Sequence, residues 1–244
     1  MPDIAVVTGA GQGIGLAVTR KILSDIGCTA IMVDKSASGR GAVAEFQGTG
    51  ASANFIQCDI SIESEVDKLV RMVNQLGRVR YLVNCAGIFR RGAATEVAFS
   101  EWMESLRINL GGAFLMSRSL APAMLEGGRG AIVNITSDIA FHGAANASHY
   151  SASKGGLISL TRSLALEWAP KIRVNCVMPG VIDTEMPRMV GISEKELDER
   201  ARRIPLGRIG KPEDVADVIT FLLSQRAGYI TGQTIGVNGG AAMI

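Results

Sequence analysis

The stretch Thr8-Gly9-Ala10-Gly11-Gln12-Gly13-Ile14-Gly15 follows the apolar run Ile4-Ala5-Val6-Val7 and leads straight into an amphipathic helical pattern over residues 13–26. A strand, a glycine-rich turn and a helix in this order can receive a pyrophosphate. Glycines permit the tight turn and close backbone approach, and the free N–H groups at the helix start stabilise the negative charge. A purely structural turn is the competing reading, but the strand before and the helix after favour a dinucleotide.

Outward from this turn, short β-branched runs recur at 30–34, 53–57, 81–84, 131–136, 173–178 and 234–237, which with 4–8 gives seven strand candidates. Between them lie helical patterns at 39–47, 62–76, 99–126, 150–168 and 212–224, the last with Pro212 at its start. Strands apolar on both faces alternating with helices predict an α/β fold. We expect a Rossmann-type, doubly wound, seven-stranded parallel sheet with helices on both faces.

No linker, repeat or composition break divides the chain, so residues 1–244 are expected to form a single domain. Residues 182–205 differ in texture, carrying charges, Met186, Met189 and a helical pattern after Ser193. They follow the sixth strand, where open α/β sheets bind ligands, so they read as a substrate-binding lid or as a plain surface excursion.

Apolar residues are 47% of the chain and charged residues 20%, enough to bury a core and too apolar for a disordered protein. A net charge of +2 gives no field for nucleic acid. The basic clusters Arg90-Arg91 and Arg200, Arg202, Arg203 read as solvated faces. Cys28, Cys58, Cys85 and Cys176 lack the paired spacing of a zinc or redox site and read as buried thiols; no metal is expected. Met1-Pro2-Asp3-Ile4 has no leader-like character and no apolar stretch approaches membrane-spanning length, so a cytoplasmic protein without membrane partners is expected.

The second strand ends in Asp34, nineteen residues beyond Gly15, where a carboxylate can accept hydrogen bonds from an adenosine ribose. It would repel the extra phosphate of NADP, so the expected cofactor is NAD, with neighbouring Lys35 as a partial offset. An ordinary turn carboxylate is the alternative.

The spacing Thr8-Gly9-x-x-x-Gly13-Ile14-Gly15 differs from the usual dinucleotide pattern. It is followed in order by Asn84-Cys85-Ala86-Gly87, Asn109-Leu110-x-Gly112, Ser137, Tyr150-x-x-x-Lys154, Pro179-Gly180-x-Ile182-x-Thr184, Thr231-Gly232-Gln233 and Asn238-Gly239-Gly240. This collinear set spans essentially the whole chain and resembles the short-chain dehydrogenase/reductase family. The sequence departs from the family pattern at Cys85, where asparagine is usual, and at Asn238, where aspartate is common. Neither position carries a reacting group.

Tyr150 and Lys154 are four positions apart and share one helix face. A phenol with a pKa of about 10 is a poor base near neutrality, and a fixed ammonium favours its ionised form. The resemblance implies the rest: Tyr150 removes the alcohol proton or returns it during reduction, Ser137 hydrogen-bonds the reacting oxygen, and Lys154 holds the ribose. Asn109 would hold the helix and a water that links Lys154 to solvent. For the cofactor it implies Gly9, Gln12, Gly13, Ile14 and Gly15 at the turn, Asp59 and Ile60 beside the adenine, and Asn84, Ala86 and Gly87 beneath the ribose. Pro179, Gly180, Ile182 and Thr184 would line the carboxamide and pyrophosphate end.

His142 and His149 fit no triad or metal pattern. His149, out of helical phase with Tyr150, is expected on the surface, and His142 is a candidate substrate contact. Arg90 and Arg91 could attract an anionic substrate or simply be solvated. The leading reading is an NAD-dependent oxidoreductase acting on a small secondary alcohol or ketone. An NADP-linked reductase of oxoacyl carrier-protein type is the second, and a non-catalytic nucleotide-sensing protein the third.

The patterns 99–124 and 150–168 also carry more apolar residues than one sheet-facing stripe needs, among them Trp102, Leu110, Phe114, Leu160 and Trp168. Family resemblance pairs these helices across a dimer interface, and the apolar end Ala241-Ala242-Met243-Ile244 suggests a second contact. A homotetramer is expected.

Overall fold

Alternate residues of the first strand, β1 (Asp3–Thr8), point to opposite faces, and both faces are buried: Ala5 and Val7 join one hydrophobic cluster, Ile4 and Val6 the other. A strand of this kind belongs at the centre of a sheet covered on both sides. The computed structural model, which describes residues 1–37, 39–48 and 50–243, shows this arrangement.

Around β1 are β2 (Thr29–Asp34), β3 (Ala53–Gln57), β4 (Arg78–Asn84), β5 (Gly130–Ile135), β6 (Ile172–Pro179) and β7 (Thr234–Val237). The order is β3-β2-β1-β4-β5-β6-β7 with every pairing parallel, as the sequence predicts. The chain winds outward from β1 in both directions. A crevice therefore opens at the C-terminal ends of β1 and β4, the switch point at which open α/β sheets bind ligands.

One face is covered by α1 (Gly13–Lys21), α2 (Gly39–Gly48) and, from near the chain's end, a helix over Pro212–Leu223. The other carries α3 (Glu63–Leu76), α4 (Phe99–Leu106), α5 (Gly112–Glu126) and, after the four-residue α6 (Ile139–His142), the long α7 (Ser148–Trp168). Fully buried side chains such as Ile31, Leu82, Leu120 and Ile132 each contribute roughly 1.5–3 kcal/mol through burial.

Two expected helices prove to be composite. The pattern 13–26 is α1 followed by a widened π-type turn, Ile22–Ile26, that ends where Gly27 takes φ 70° and donates its N–H to the Ile22 carbonyl. The pattern 99–126 is α4, a second π-type turn over Arg107–Gly111, and α5, which continues past Pro122. Periodicity alone cannot register one extra residue per turn.

Residues 182–205 hold two helices, α8 (Glu185–Met189) and α9 (Glu194–Arg203); the Pro212–Leu223 helix is then α10. In α9, Ser193 and Glu196 form a reciprocal cap. At its base this excursion is closed by a parallel bridge between Ile182 and Gly210, with Asp183 N–H donating to the Gly210 carbonyl at 2.8 Å.

Candidate active site

A cleft of about 650 Å³ opens at the switch point. At one end is the glycine turn. Gly9 takes φ 65°, and a side chain there would meet the Ala86 backbone at 2.8 Å; a Cβ on Gly15 would lie 2.1 Å from the Gly9 carbonyl oxygen. Only glycines let helix, strand and the neighbouring loop converge this closely. Thr8 ties the loop down, its hydroxyl accepting the Cys85 and Ala86 N–H groups, each at 3.1 Å.

Asp34 stands beside this turn. Its carboxylate accepts the Gly11 N–H and the Ser36 N–H, both at 3.0 Å. Lys35 is drawn away into an ion pair with Asp59 at 2.9 Å. Burial raises the Asp59 carboxyl, but hydrogen bonds from Ser61 and Lys35 outweigh it and hold the group at about 2.

At the other end lie Ser137, Tyr150 and Lys154. Ser137 follows β5, where Asp138 caps α6 by accepting the Ile139 N–H at 2.8 Å. The Ser137 hydroxyl donates to Asp138 at 3.2 Å and also hydrogen-bonds Tyr150. The Tyr150 ring packs against Phe89 with centroids 4.7 Å apart. Lys154 donates from Nζ to the Ile135 carbonyl at 2.8 Å, and Thr136 joins the end of β5 to α7 through the Lys154 carbonyl.

Burial dominates the titration of this end. It pushes the Tyr150 phenol up to about 12, against a smaller downward pull from Ser137, and it pushes the Lys154 ammonium down to about 8. The expectation that Lys154 favours the phenolate therefore does not describe the chain by itself, because desolvation is the largest influence on the phenol. The cysteines are all unpaired; Cys58 and Cys176 are buried, while Cys28 and Cys85 are only half-buried.

The cleft brings together Gly9, Gln12, Gly13, Ile14, Gly15, Asp34, Asp59, Ile60, Ala86, Gly87, Ser137, Tyr150, Lys154, Pro179, Gly180, Ile182 and Thr184. Two expected residues stand behind it. Asn84 is buried and donates to Ser117 at 3.0 Å and Asn134 at 2.8 Å, so its side chain serves the sheet rather than the cleft. Asn109, in the π-type turn, accepts the Ile88 N–H at 2.8 Å and donates to the Ile88 carbonyl and Ser153, both at 3.0 Å. It splices the cleft wall to α7.

His142 and Arg90 line the cleft, whereas Arg91 is exposed outside its lining. His149 is buried, contrary to the expected surface position, and its Nδ1 has no hydrogen-bond partner. The reason is that α7 packs on α4 and α6 as well as on the sheet, covering positions away from the sheet-facing stripe. The excursion contributes Met186, Pro187, Ile192 and Arg200 to the lining. Reading Arg200 as part of a solvated face is thus corrected. The signal was present in the cap at Ser193, which fixes the helical phase that aligns Arg200 with Leu197.

A parallel sheet with a glycine-walled phosphate turn at its switch point, and a phenol and an ammonium at the far end of the same cleft, is the architecture of a nicotinamide-dinucleotide oxidoreductase. The chain belongs to the short-chain dehydrogenase/reductase family: a family model described as enoyl-(acyl carrier protein) reductase matches residues 9–242. It is 39% identical over 241 residues to the 3-oxoacyl-(acyl-carrier-protein) reductase FabG of Aquifex aeolicus, covering 97% of this chain and 96% of the relative. Among solved structures it is similar to an NAD(P)-dependent gluconate 5-dehydrogenase, so described, from Beutenbergia cavernae with bound NADP, at TM-score 0.92 and 36% identity over 98% of this chain and 96% of that one. It also resembles the aldohexose dehydrogenase of Thermoplasma acidophilum, at TM-score 0.89 and 33% identity over 99% and 96% of the two chains.

Proposed function

We propose that this chain is a single-domain, NAD-preferring dehydrogenase or reductase of secondary alcohols and ketones, with Tyr150 as its acid/base. The observation that carries this reading is the sharing of one cleft by the glycine turn and the Ser137, Tyr150 and Lys154 cluster. The glycine walls and the free N–H groups at the start of α1 suit a pyrophosphate. When bound, the nicotinamide supplies or accepts the hydride.

The chain's own residues do the rest. Ser137 and Tyr150 hydroxyls hydrogen-bond the substrate oxygen, and Tyr150 moves the proton to or from it. Lys154, fixed by the Ile135 carbonyl, holds the ribose. Asn109 is a positioning residue, acting through Ile88 and Ser153. Gln12, Asp59, Ile60, Ala86, Gly87, Pro179, Gly180, Ile182 and Thr184 complete the cofactor walls.

NAD preference is supported by Asp34, because the nearest lysine is already engaged by Asp59 and a carboxylate at the ribose disfavours an added phosphate. The second reading, an NADP-linked oxoacyl carrier-protein-type reductase, is favoured by the likeness to FabG. Initial rates with NADH and NADPH, across ketones that include a 3-oxoacyl thioester, separate the two. A large preference for NADPH with the thioester would replace the first reading by the second.

We further propose a homotetramer in a reducing cytoplasm. Phe99, Met103 and Phe114 on α4 and α5 and Leu166 on α7 remain exposed, as does Met243 near the chain's end, which favours burial against other subunits. Ile244, the last residue of the apolar end, lies outside the described residues. Four unpaired cysteines suit a reducing compartment. Among the described residues no helix is long and apolar enough to cross a membrane.

A further inference from the structure

Four cationic side chains line the cleft: Lys35, Arg90, Lys154 and Arg200. Three have partners. Lys35 is paired with Asp59 at 2.9 Å, Arg90 with Glu104 at 2.8 Å, and Lys154 donates to the Ile135 carbonyl at 2.8 Å. Arg200 is half-buried, and among the described residues its guanidinium has neither an ion pair nor a hydrogen bond.

The position is built rather than incidental. The cap at Ser193 sets the phase of α9, Leu197 is buried with 3% exposure, and Arg200, three residues on, follows it on the inward face. Arg188 in α8 holds the excursion in place through Asp183 at 2.9 Å and Glu194 at 2.8 Å. Of the acidic groups on the same side, Asp138 caps α6 and Glu104 holds Arg90, while Glu185 lines the cleft but is exposed to solvent and makes no ion pair with Arg200. Glu196 is held below its ordinary value chiefly by the Ser193 backbone and hydroxyl, with Arg200 and Arg91 adding smaller contributions. Glu196 acts on Arg200 only through space and without an ion pair or hydrogen bond, and a guanidinium kept partly out of water in a ligand cleft with no direct partner is completed by an anion on the ligand.

We propose that Arg200 is a specificity-determining residue and that the substrate is a hydroxy or oxo compound bearing anionic oxygens, of a carboxylate or a phosphate. Arg200 holds the anion while the alcohol or carbonyl faces Tyr150. The proposal rests on the reading of Tyr150 as the acid/base. It replaces an undefined alcohol or ketone with a charged one.

The test uses matched pairs: acetoacetate with ethyl acetoacetate, and dihydroxyacetone phosphate with dihydroxyacetone. For the wild-type chain, kcat/KM is expected to be tenfold or more higher for the anionic member of at least one pair, and which pair responds distinguishes carboxylate from phosphate. In Arg200→Ala the loss should be at least tenfold greater for the anionic member than for the neutral one, appearing in KM more than in kcat, with partial recovery in Arg200→Lys. Equal losses for both members, or a rise confined to the KM of the dinucleotide, would overturn the proposal; the latter would assign Arg200 to the pyrophosphate. Thermal shifts of the dinucleotide-loaded protein with the same four compounds separate this from failure of the Tyr150 reading. A chain that turns over nothing but shows an anion-specific shift, lost in Arg200→Ala, loses the acid/base assignment and keeps the anion site. Absence of any anion-specific shift or rate preference overturns the site itself.

Discussion

The Nζ of Lys154 lies 5.8 Å from the centre of the Tyr150 ring and is secured by the Ile135 carbonyl, not by the phenol. With Tyr150 at about 12 and Lys154 at about 8, the chain's own groups keep the phenol protonated across the neutral range. That is the form a ketone reductase needs as its acid. In the proposed role, alcohol oxidation would need the phenolate instead, which a positive charge beside the ring would favour.

Tyr150→Phe keeps the ring against Phe89 and removes only the hydroxyl. Turnover is expected to fall by about 10²-fold or more, while dinucleotide affinity, measured by fluorescence titration, stays within a few-fold. Near-native turnover would remove Tyr150 from the chemistry.

Asp34→Ala deletes the carboxylate proposed to accept from the ribose together with the partner of the Gly11 and Ser36 N–H groups. The ratio of kcat/KM for NAD over NADP is expected to drop about tenfold, as a loss of roughly 1.4 kcal/mol would produce. An unchanged ratio would place cofactor choice elsewhere.

Lys154 links stability to pH. The folded chain releases its proton near pH 8 while the unfolded chain holds it to 10.5, so from this group stability rises with pH above 8, by about 1 kcal/mol per pH unit at most. Burial raises all four cysteines to about 11 from 9.0, which opposes the trend from about pH 8 upward, equally in wild type and in a Lys154 variant. Urea midpoints at pH 8 and 9 should therefore differ in slope between wild type and Lys154→Met, the wild type gaining more. Identical slopes would contradict the depressed value.

Asn134 accepts from Asn84 at 2.8 Å and donates to Thr161 at 2.8 Å, joining β4, β5 and α7 inside the core. Asn134→Ala leaves both partners short of a hydrogen bond and should destabilise the chain by about 1–3 kcal/mol in urea unfolding. A change below about 0.5 kcal/mol would mean that water or rearrangement replaces the link.

Light scattering at micromolar concentration should report a tetramer, and Phe114→Glu on the exposed face of α5 should reduce the particle mass. A wild-type particle of 25.7 kDa would refute the assembly.

The sheet was readable because the strands that decide it are buried on both faces and so lack polar interruptions. The glycine turn and the Tyr150, Lys154 pair were readable because their spacing is local, within one turn or one helix face. Asn84 was harder: the residues that claim its side chain, Ser117 and Asn134, are distant in sequence, so nothing nearby signals that it turns into the core. His149 was misplaced because its burial depends on α4 and α6 arriving over α7. Arg200 was hidden by its neighbours, since Arg202 and Arg203 are exposed and the three together resemble a wetted surface.

The bridge between Ile182 and Gly210 brings the two ends of the excursion beyond β6 side by side, before the chain enters α10. The intervening loop can therefore be grafted as a cassette, changing what the cleft accepts while the strands that carry Ser137 and the dinucleotide turn stay in register. A chimera that exchanges residues 183–209 for the corresponding stretch of a relative is expected to fold with its sheet intact and to inherit the donor's choice of substrate.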